Sequence, residues 1–187
     1  MSITDLKDKH KDSICYIIGG GESLQYLTND YFESNGIIIA LNKTIQKIQE
    51  LSPSIPVYSQ QKGGNLNGRR ACNYPDCNNC EFMKNPSPYT LLVHEHESRM
   101  CFENYKDRIV FDNIELGLHI HDFSALTAIK IGEWMGCKHF VFISFDSINN
   151  KYNSLYGENY SESYELQIAR QEEFLKDISH EYITPIK

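Results

Sequence analysis

The sequence lacks any long apolar run, and no stretch of its 187 residues reaches the roughly 18 consecutive apolar residues typical of a membrane-spanning helix. Its first residues are polar and charged, unlike a secretory signal. It also lacks an excess of basic residues, because 18 Lys and Arg stand against 25 Asp and Glu, for a net charge of −7. A nucleic-acid footprint needs a basic face. We therefore expect a cytoplasmic protein with no membrane span and no nucleic-acid partner.

The composition is that of one globular domain, with 41% hydrophobic and 23% charged residues and no evident repeat. Apolar strands alternate with helical segments along the chain. The runs at 36–41 and 139–143 are apolar without alternation, which indicates strands buried on both faces of a parallel sheet. The sequence predicts a single doubly wound, mainly parallel α/β domain over 1–187, Rossmann-like in order, with a Cys-rich insert at 62–88.

The predicted elements follow from apolar runs and from residues that cap or end helices. Strands are predicted at 13–18, 36–41, 55–59, 89–93, 108–111, 138–144 and 181–186. Helices are predicted at 23–34, 43–51, 98–105, 124–135 and 161–178. The helix at 124–135 has the clearest signals, because it carries an apolar face and is followed by Gly136, a residue type that commonly ends helices.

The stretch that bears most directly on function is the glycine-rich turn after the first predicted strand. Gly19, Gly20 and Gly21 precede Glu22 and Ser23, where a helix is predicted to begin. Glycine lets the backbone approach a ligand closely, and a helix N-terminus offers unpaired N–H groups to a phosphate. The spacing is neither G-x-G-x-x-G nor that of a P-loop. The turn indicates a nucleotide phosphate site, with a merely tight strand-to-helix turn as the alternative.

Further polar side chains follow the ends of predicted strands, where ligands bind in open α/β sheets. They are Asn42, Gln60, Gln61, His94, His96 and Asp146. Each has a structural alternative: Asn42 would cap the next helix, Asp146 would order its own turn, and the histidine pair would be structural or exposed to solvent. Their convergence at one edge of the sheet favours a ligand site more than any single residue does.

The segment at 62–88 is polar, rich in Gly, Asn and Pro, and too long for an ordinary connection. It contains a C-x4-C-x2-C array, whose second pair has the spacing of a zinc knuckle. The candidate ligands of a structural zinc ion are Cys72, Cys77, Cys80 and, as the fourth, Cys101, His94 or His96. The alternatives are free thiols in a reducing cytosol or a disulfide in an oxidising compartment.

Three blocks of the chain resemble a group of Rossmann-like proteins. The blocks are IIGGGESL at 17–24, IIALN at 38–42, and the helix–strand unit from FSALTA to SFD at 123–146. The group includes CMP-sialic acid transferases of the Campylobacter type, the 6-hydroxymethylpterin pyrophosphokinase MptE-like proteins, and many phage proteins. The stretch 94–146 resembles the phage-encoded members most. The similarity covers about residues 13–60 and 107–150 and leaves the insert out.

The resemblance implies a nucleotide or nucleotide-sugar as ligand and a glycosyltransferase-like, sialyltransferase-like activity; no organic cofactor is evident. In those transferases the glycine turn and the Asn after the second strand contact the CMP group. The nucleotide-binding residues expected here are Gly19, Gly20, Gly21, Glu22, Ser23, Asn42, Gln60 and Ser124. Members of the group often assemble, so a homo-oligomer is a further expectation.

The chain departs from the transferase pattern in two places. Glu22 replaces the usual proline, and no histidine stands before the last predicted helix, where the transferases keep their general base. Transfer needs a base for the acceptor proton, and that role would fall to Asp146, His94 or His96. Two other functions stay open: a non-catalytic protein that binds or sequesters a nucleotide, and a zinc-stabilised interaction module without a ligand.

Overall fold

The computed structural model describes residues 2–61, 88–94, 107–118, 124–146 and 164–187, the last with side chains from 169 onward. The strands are β1 Ile14–Ile18, β2 Gly36–Leu41, β3 Val57–Gln61, β4 Thr90–His94, β5 Arg108–Phe111, β6 His139–Ile143 and β7 Ser179–Ile183. The α-helices are α1 Ile45–Leu51, α2 Ser124–Trp134 and α3 Tyr164–Leu175. Among the helices of these segments, none is both long and apolar enough to cross a membrane.

The strands form one seven-stranded sheet in the order β5-β4-β3-β2-β1-β6-β7, and every neighbouring pair is parallel. The chain runs outward from β1 to β5 and then returns to place β6 on the other side of β1. The strand order therefore reverses between β1 and β6, and such a switch point opens a crevice at the carboxyl ends of the strands. The prediction of a parallel α/β sheet is confirmed, and its order is consistent with a Rossmann-like fold.

Two hydrophobic layers cover the sheet, one on each face. Alternate residues of β1 supply both, since Ile17 belongs to one layer and Ile18 to the other. The first layer contains the apolar side chains of α2, Leu175 of α3 and the 3₁₀ helix Ile3–Leu6. The second contains the buried residues of α1 and of the turn after β1. Burial on both faces explains why the inner strands carry no polar alternation.

Most element predictions are confirmed with shifts of a few residues at the ends, but the helix predicted at 23–34 is wrong. Two short 3₁₀ helices, Glu22–Tyr26 and Asn29–Tyr31, occupy that connection. The backbone between them is extended, with ψ 132° at Leu27 and 171° at Thr28. Leu24 and Leu27 are both buried, and their spacing of three matches the repeat of a 3₁₀ helix. The helix predicted at 98–105 and the Cys-rich insert lie outside the described residues.

The segment before β1 caps the C-terminal end of α2. The sequence patterns did not indicate this contact. The backbone N–H groups of Asp8, His10 and Asp12 donate to the carbonyls of Trp134, Met135 and Gly136 at 3.0, 2.8 and 2.9 Å. The last carbonyls of a helix have no partner within it. The N-terminal segment satisfies three carbonyl groups, at the end of α2 and in its exit turn. The Trp134 indole N–H also donates to the Ile3 carbonyl at 3.0 Å.

Candidate functional site

The carboxyl edge of the sheet gathers most of the side chains expected to bind a ligand. The glycine turn follows β1, Asn42 follows β2, Gln60 and Gln61 end β3, His94 ends β4, and Ser144 to Asp146 follow β6. Ser124 joins them as the first residue of α2. His96 and the cysteines Cys72, Cys77, Cys80 and Cys101 lie outside the described residues, so the zinc site stays a prediction.

The glycines after β1 are required by the approach of β6. The Gly19 N–H donates to the Ile143 carbonyl at 2.8 Å, and the Gly21 N–H donates to the Ser144 carbonyl at 3.0 Å. A methyl group added at either glycine would lie 2.7 Å from the Ser144 oxygen, closer than carbon and oxygen can pack. At Gly21 it would also overlap the Asp146 carboxylate. Packing against β6 thus explains the absence of side chains at Gly19 and Gly21 without a ligand.

Asp146 occupies the position that a phosphate was expected to take. One carboxylate oxygen accepts from the Ser23 backbone N–H at 2.7 Å, and the other accepts from the Ser23 hydroxyl at 2.6 Å. These bonds place a negative charge at the start of the 3₁₀ helix Glu22–Tyr26, where unpaired N–H groups favour an anion. The phosphate role of Gly19 to Ser23 stays a prediction, and it requires that a ligand displace this carboxylate.

The same two bonds bear on the predicted catalytic role of Asp146. Each Asp146 oxygen accepts one hydrogen bond and keeps a further lone pair, so the catalytic role of Asp146 stays a prediction. Ser144, just before it, adopts a left-handed backbone with φ 60°. Its hydroxyl is buried and has no hydrogen-bond partner within the described residues.

Asn42 also has a left-handed backbone, with φ 54°, which asparagine tolerates better than most residues. Its carbonyl accepts from the Gln61 side-chain amide at 2.8 Å. It is the first residue of the 3₁₀ helix Asn42–Thr44, and neither that helix nor α1 has a side-chain cap. The N-cap positions of these two helices are held by Leu41 and Thr44, so both the capping alternative and the ligand role of Asn42 stay predictions.

Gln60 lies where β3 meets the start of α2, and we call this pair the Gln60–Ser124 corner. The Gln60 side-chain N–H donates to the Ser124 carbonyl at 3.1 Å, and the residue is only 4% exposed. The amide oxygen of Gln60 is buried and has no hydrogen-bond partner within the ranges that the structure describes. A buried acceptor beside a helix N-terminus is the kind of group that a ligand donor satisfies.

His94 stands apart from the glycine turn. It ends β4, three strands from β1 in the sheet, a separation of about 14 Å at the usual strand spacing of about 4.8 Å. Its Nε2 lies 3.6 Å from a carboxylate oxygen of Asp112, and its ring meets Phe111 edge-on. Sequence reasoning missed Asp112, although its position directly after the apolar strand RIVF was a usable signal.

In the described part of the chain, no group of three or more His, Cys, Asp or Glu side chains is placed to hold a metal ion. Comparison with known proteins adds no assignment: no protein-family model matches the chain, and no curated protein matches it significantly. The arrangement of side chains at the carboxyl edge is therefore the main indication of function.

Proposed function

We propose that this chain binds a nucleotide or nucleotide-sugar at the carboxyl edge of its sheet. The observation that carries the proposal is the buried oxygen of Gln60, which lacks a partner among the described residues. Leaving such an acceptor unsatisfied costs about 1–3 kcal/mol. An N–H of a base or a hydroxyl of a ribose or sugar would satisfy it. The resemblance to nucleotide-binding Rossmann-like proteins supports the same ligand class.

The start of α2 is the better place for the phosphate. This helix has 11 residues, so its N-terminal N–H groups and dipole favour an anion. The start of the 3₁₀ helix after β1 already holds the Asp146 carboxylate. A second anion there would meet like charge at close range. The ligand would place its phosphate at Ser124 and its hydrogen-bond donors at Gln60, with Asn42 on the neighbouring strand.

Thermal unfolding in the presence of nucleotides tests this arrangement. The panel is CMP, CDP, UDP, GDP, AMP, NAD and CMP-sialic acid at millimolar concentration. A ligand present at about 100 times its Kd adds roughly 2.7 kcal/mol to the free energy of unfolding, so the midpoint should rise by several degrees. Gln60→Glu should remove the shift, because its negative charge would oppose the phosphate.

Gln46→Glu is the matched control, because it makes the same charge change at an exposed position of α1 and should leave the shift intact. If no nucleotide raises the midpoint of the unaltered chain, the proposal fails. If Gln60→Glu shifts as much as the unaltered chain, the ligand binds elsewhere.

A transferase activity is a second candidate, favoured by the His94–Asp112 pair. An imidazole with a carboxylate nearby is a candidate general base, and this pair, whose nearest atoms are 3.6 Å apart, follows β4 and β5 at the same edge as Gln60. His94→Gln should then abolish product formation from a nucleotide-sugar while the nucleotide still raises the midpoint. Binding without any product from the unaltered chain would leave the non-catalytic function.

A further inference from the structure

The serine that follows β6 is unfavourable for stability in two ways. Ser144 has a left-handed backbone with φ 60°, a region in which residues other than glycine are strained. Its hydroxyl is buried, with 1% of the residue exposed, and has no hydrogen-bond partner within the described residues. A buried hydroxyl without a partner destabilises a folded protein. Glycine at this position would avoid both penalties.

The backbone contacts of Ser144 do not require its side chain. Its N–H donates to the Ile183 carbonyl at 3.1 Å, and its carbonyl accepts from the Gly21 N–H at 3.0 Å. Glycine would make both bonds and would adopt this φ without strain. These contacts therefore give no structural reason for the hydroxyl.

Ser52 shows how a serine in the same backbone region is satisfied within the fold. It is the C-cap of α1, with φ 46°, and its hydroxyl donates to the Gln49 carbonyl at 3.0 Å. Ser52 is also exposed to water, whereas Ser144 is buried and its hydroxyl has no partner in the described chain. Residues held in unfavourable backbone conformations cluster at ligand sites. The contrast indicates that Ser144 serves a ligand.

Ser144 lies at the carboxyl edge, level with Gln60. Gln60 is paired with Leu41 of β2, and β1 joins the residue before Leu41 to the residue before Ser144. Gln60 and Ser144 are therefore three strand spacings apart, or about 14 Å. The helix α2 starts beside Gln60 and packs against β1 and β2, the strands between the two residues. A ligand that extends from the start of α2 across these strands would reach Ser144.

We propose that the Ser144 hydroxyl binds the part of the ligand beyond its phosphate, a hydroxylated ring such as a sugar or a second ribose. The inference rests on the proposed nucleotide site at Gln60 and names the class of ligand that fills it, a nucleotide-sugar or a dinucleotide. A mononucleotide with its phosphate at α2 and its base or ribose at Gln60 has no further group for Ser144. A serine hydroxyl both donates and accepts hydrogen bonds, which suits a hydroxyl of such a ring.

Ser144→Gly tests the proposal, because it separates stability from binding. The midpoint of urea unfolding should be no lower than that of the unaltered chain, since glycine relieves the strain and removes the buried hydroxyl. Calorimetric titration compares ligands that share a nucleotide: CMP with CMP-sialic acid, AMP with NAD, and UDP with UDP-glucose. In the pair that binds, the affinity for the longer ligand should fall about tenfold, while the affinity for the mononucleotide stays unchanged.

Two further variants complete the test. Ser52→Gly is the matched control, because it makes the same replacement in the same backbone region at an exposed residue, and it should leave the affinity for both ligands unchanged. Ser144→Ala removes the hydroxyl but keeps the left-handed strain, so it should weaken binding of the longer ligand as much as Ser144→Gly does.

Three results would overturn the proposal. Equal binding of the longer ligand by Ser144→Gly and the unaltered chain would exclude the hydroxyl from the site and leave the nucleotide site at Gln60 standing. A lower unfolding midpoint for Ser144→Gly would show that the hydroxyl serves the fold instead. If the unaltered chain binds none of these ligands, this inference fails together with the proposed function.

Discussion

The polar groups of Ser23 after β1 and the amide oxygen of Gln60 lie at the same edge of the sheet, but only those of Ser23 have hydrogen-bond partners among the described residues. At the turn, the Asp146 carboxylate takes both the N–H and the hydroxyl of Ser23. At the corner, the amide oxygen of Gln60 has no partner within the described residues. The difference teaches that glycines such as Gly19 and Gly21 can be required by the chain's own packing, while the site that we propose for the ligand lies two strands away, at Gln60.

The largest loss in the free energy of unfolding should come from adding a side chain to the glycine turn. Gly21→Ala places a methyl group against the Ser144 carbonyl and the Asp146 carboxylate, and overpacking of this kind costs about 1–3 kcal/mol. Gly117→Ala is the matched control, because no described residue lies within 4 Å of its added methyl and its φ of 73° opposes the change. That strain costs about 1–2 kcal/mol. Urea unfolding should rank Gly21→Ala as the more destabilising, and the reverse order would show that the turn is not tightly packed.

Removal of the negative charge of Asp146 should cause the next largest loss in the free energy of unfolding. Asp146→Asn replaces two charge-assisted hydrogen bonds, each worth about 1.5–3 kcal/mol, by weaker neutral ones. We expect the free energy of unfolding to fall by about 2 kcal/mol. Ser23→Ala removes the hydroxyl partner, and the double variant should lose less than the sum of the two single changes. Strict additivity would mean that Asp146 and Ser23 do not act as a pair.

Asn42 allows backbone and side-chain effects to be separated. Asn42→Ala places alanine at φ 54° and should lower stability by about 1 kcal/mol, whereas Asn42→Gly avoids that strain. Both variants lack the amide that we expect to contact the nucleotide. Calorimetric titration should therefore show weakened binding in both, with the stability loss confined to alanine. Normal binding by the glycine variant would exclude the side chain from the site.

The smallest effect on stability is expected at the Gln60–Ser124 corner. Gln60→Met removes one hydrogen bond to Ser124, but it also removes the buried acceptor that lacks a partner in the described chain. An apolar group of similar shape at such a place can be nearly neutral. We expect the midpoint of urea unfolding to change little while the nucleotide-induced rise in melting temperature disappears. A strongly destabilised Gln60→Met would instead indicate a structural role.

The sheet was predictable because its signals are local. The apolar run at Gly36–Leu41 and the glycine after α2 can each be recognised within a few residues. The contacts of the site are not local: Asp146 and Ser23 are 123 positions apart, and Gln60 and Ser124 are 64 apart. Such pairs are brought together by strand order and register, which no single motif encodes. The hydrogen bonds from Ser23 to Asp146 could therefore be identified only from the structure.

The attachment of the N-terminal segment to α2 also has a consequence for synthesis and folding. Trp134 and Ile3, which share a hydrogen bond, are separated by 131 positions. Residues 3–12 are made before α2 and find their partners only after α2 has been made. Contacts between distant positions form slowly because the intervening chain must first be ordered. Docking of this segment should be among the last folding events, so its protection from hydrogen exchange should appear after that of β1 and β2.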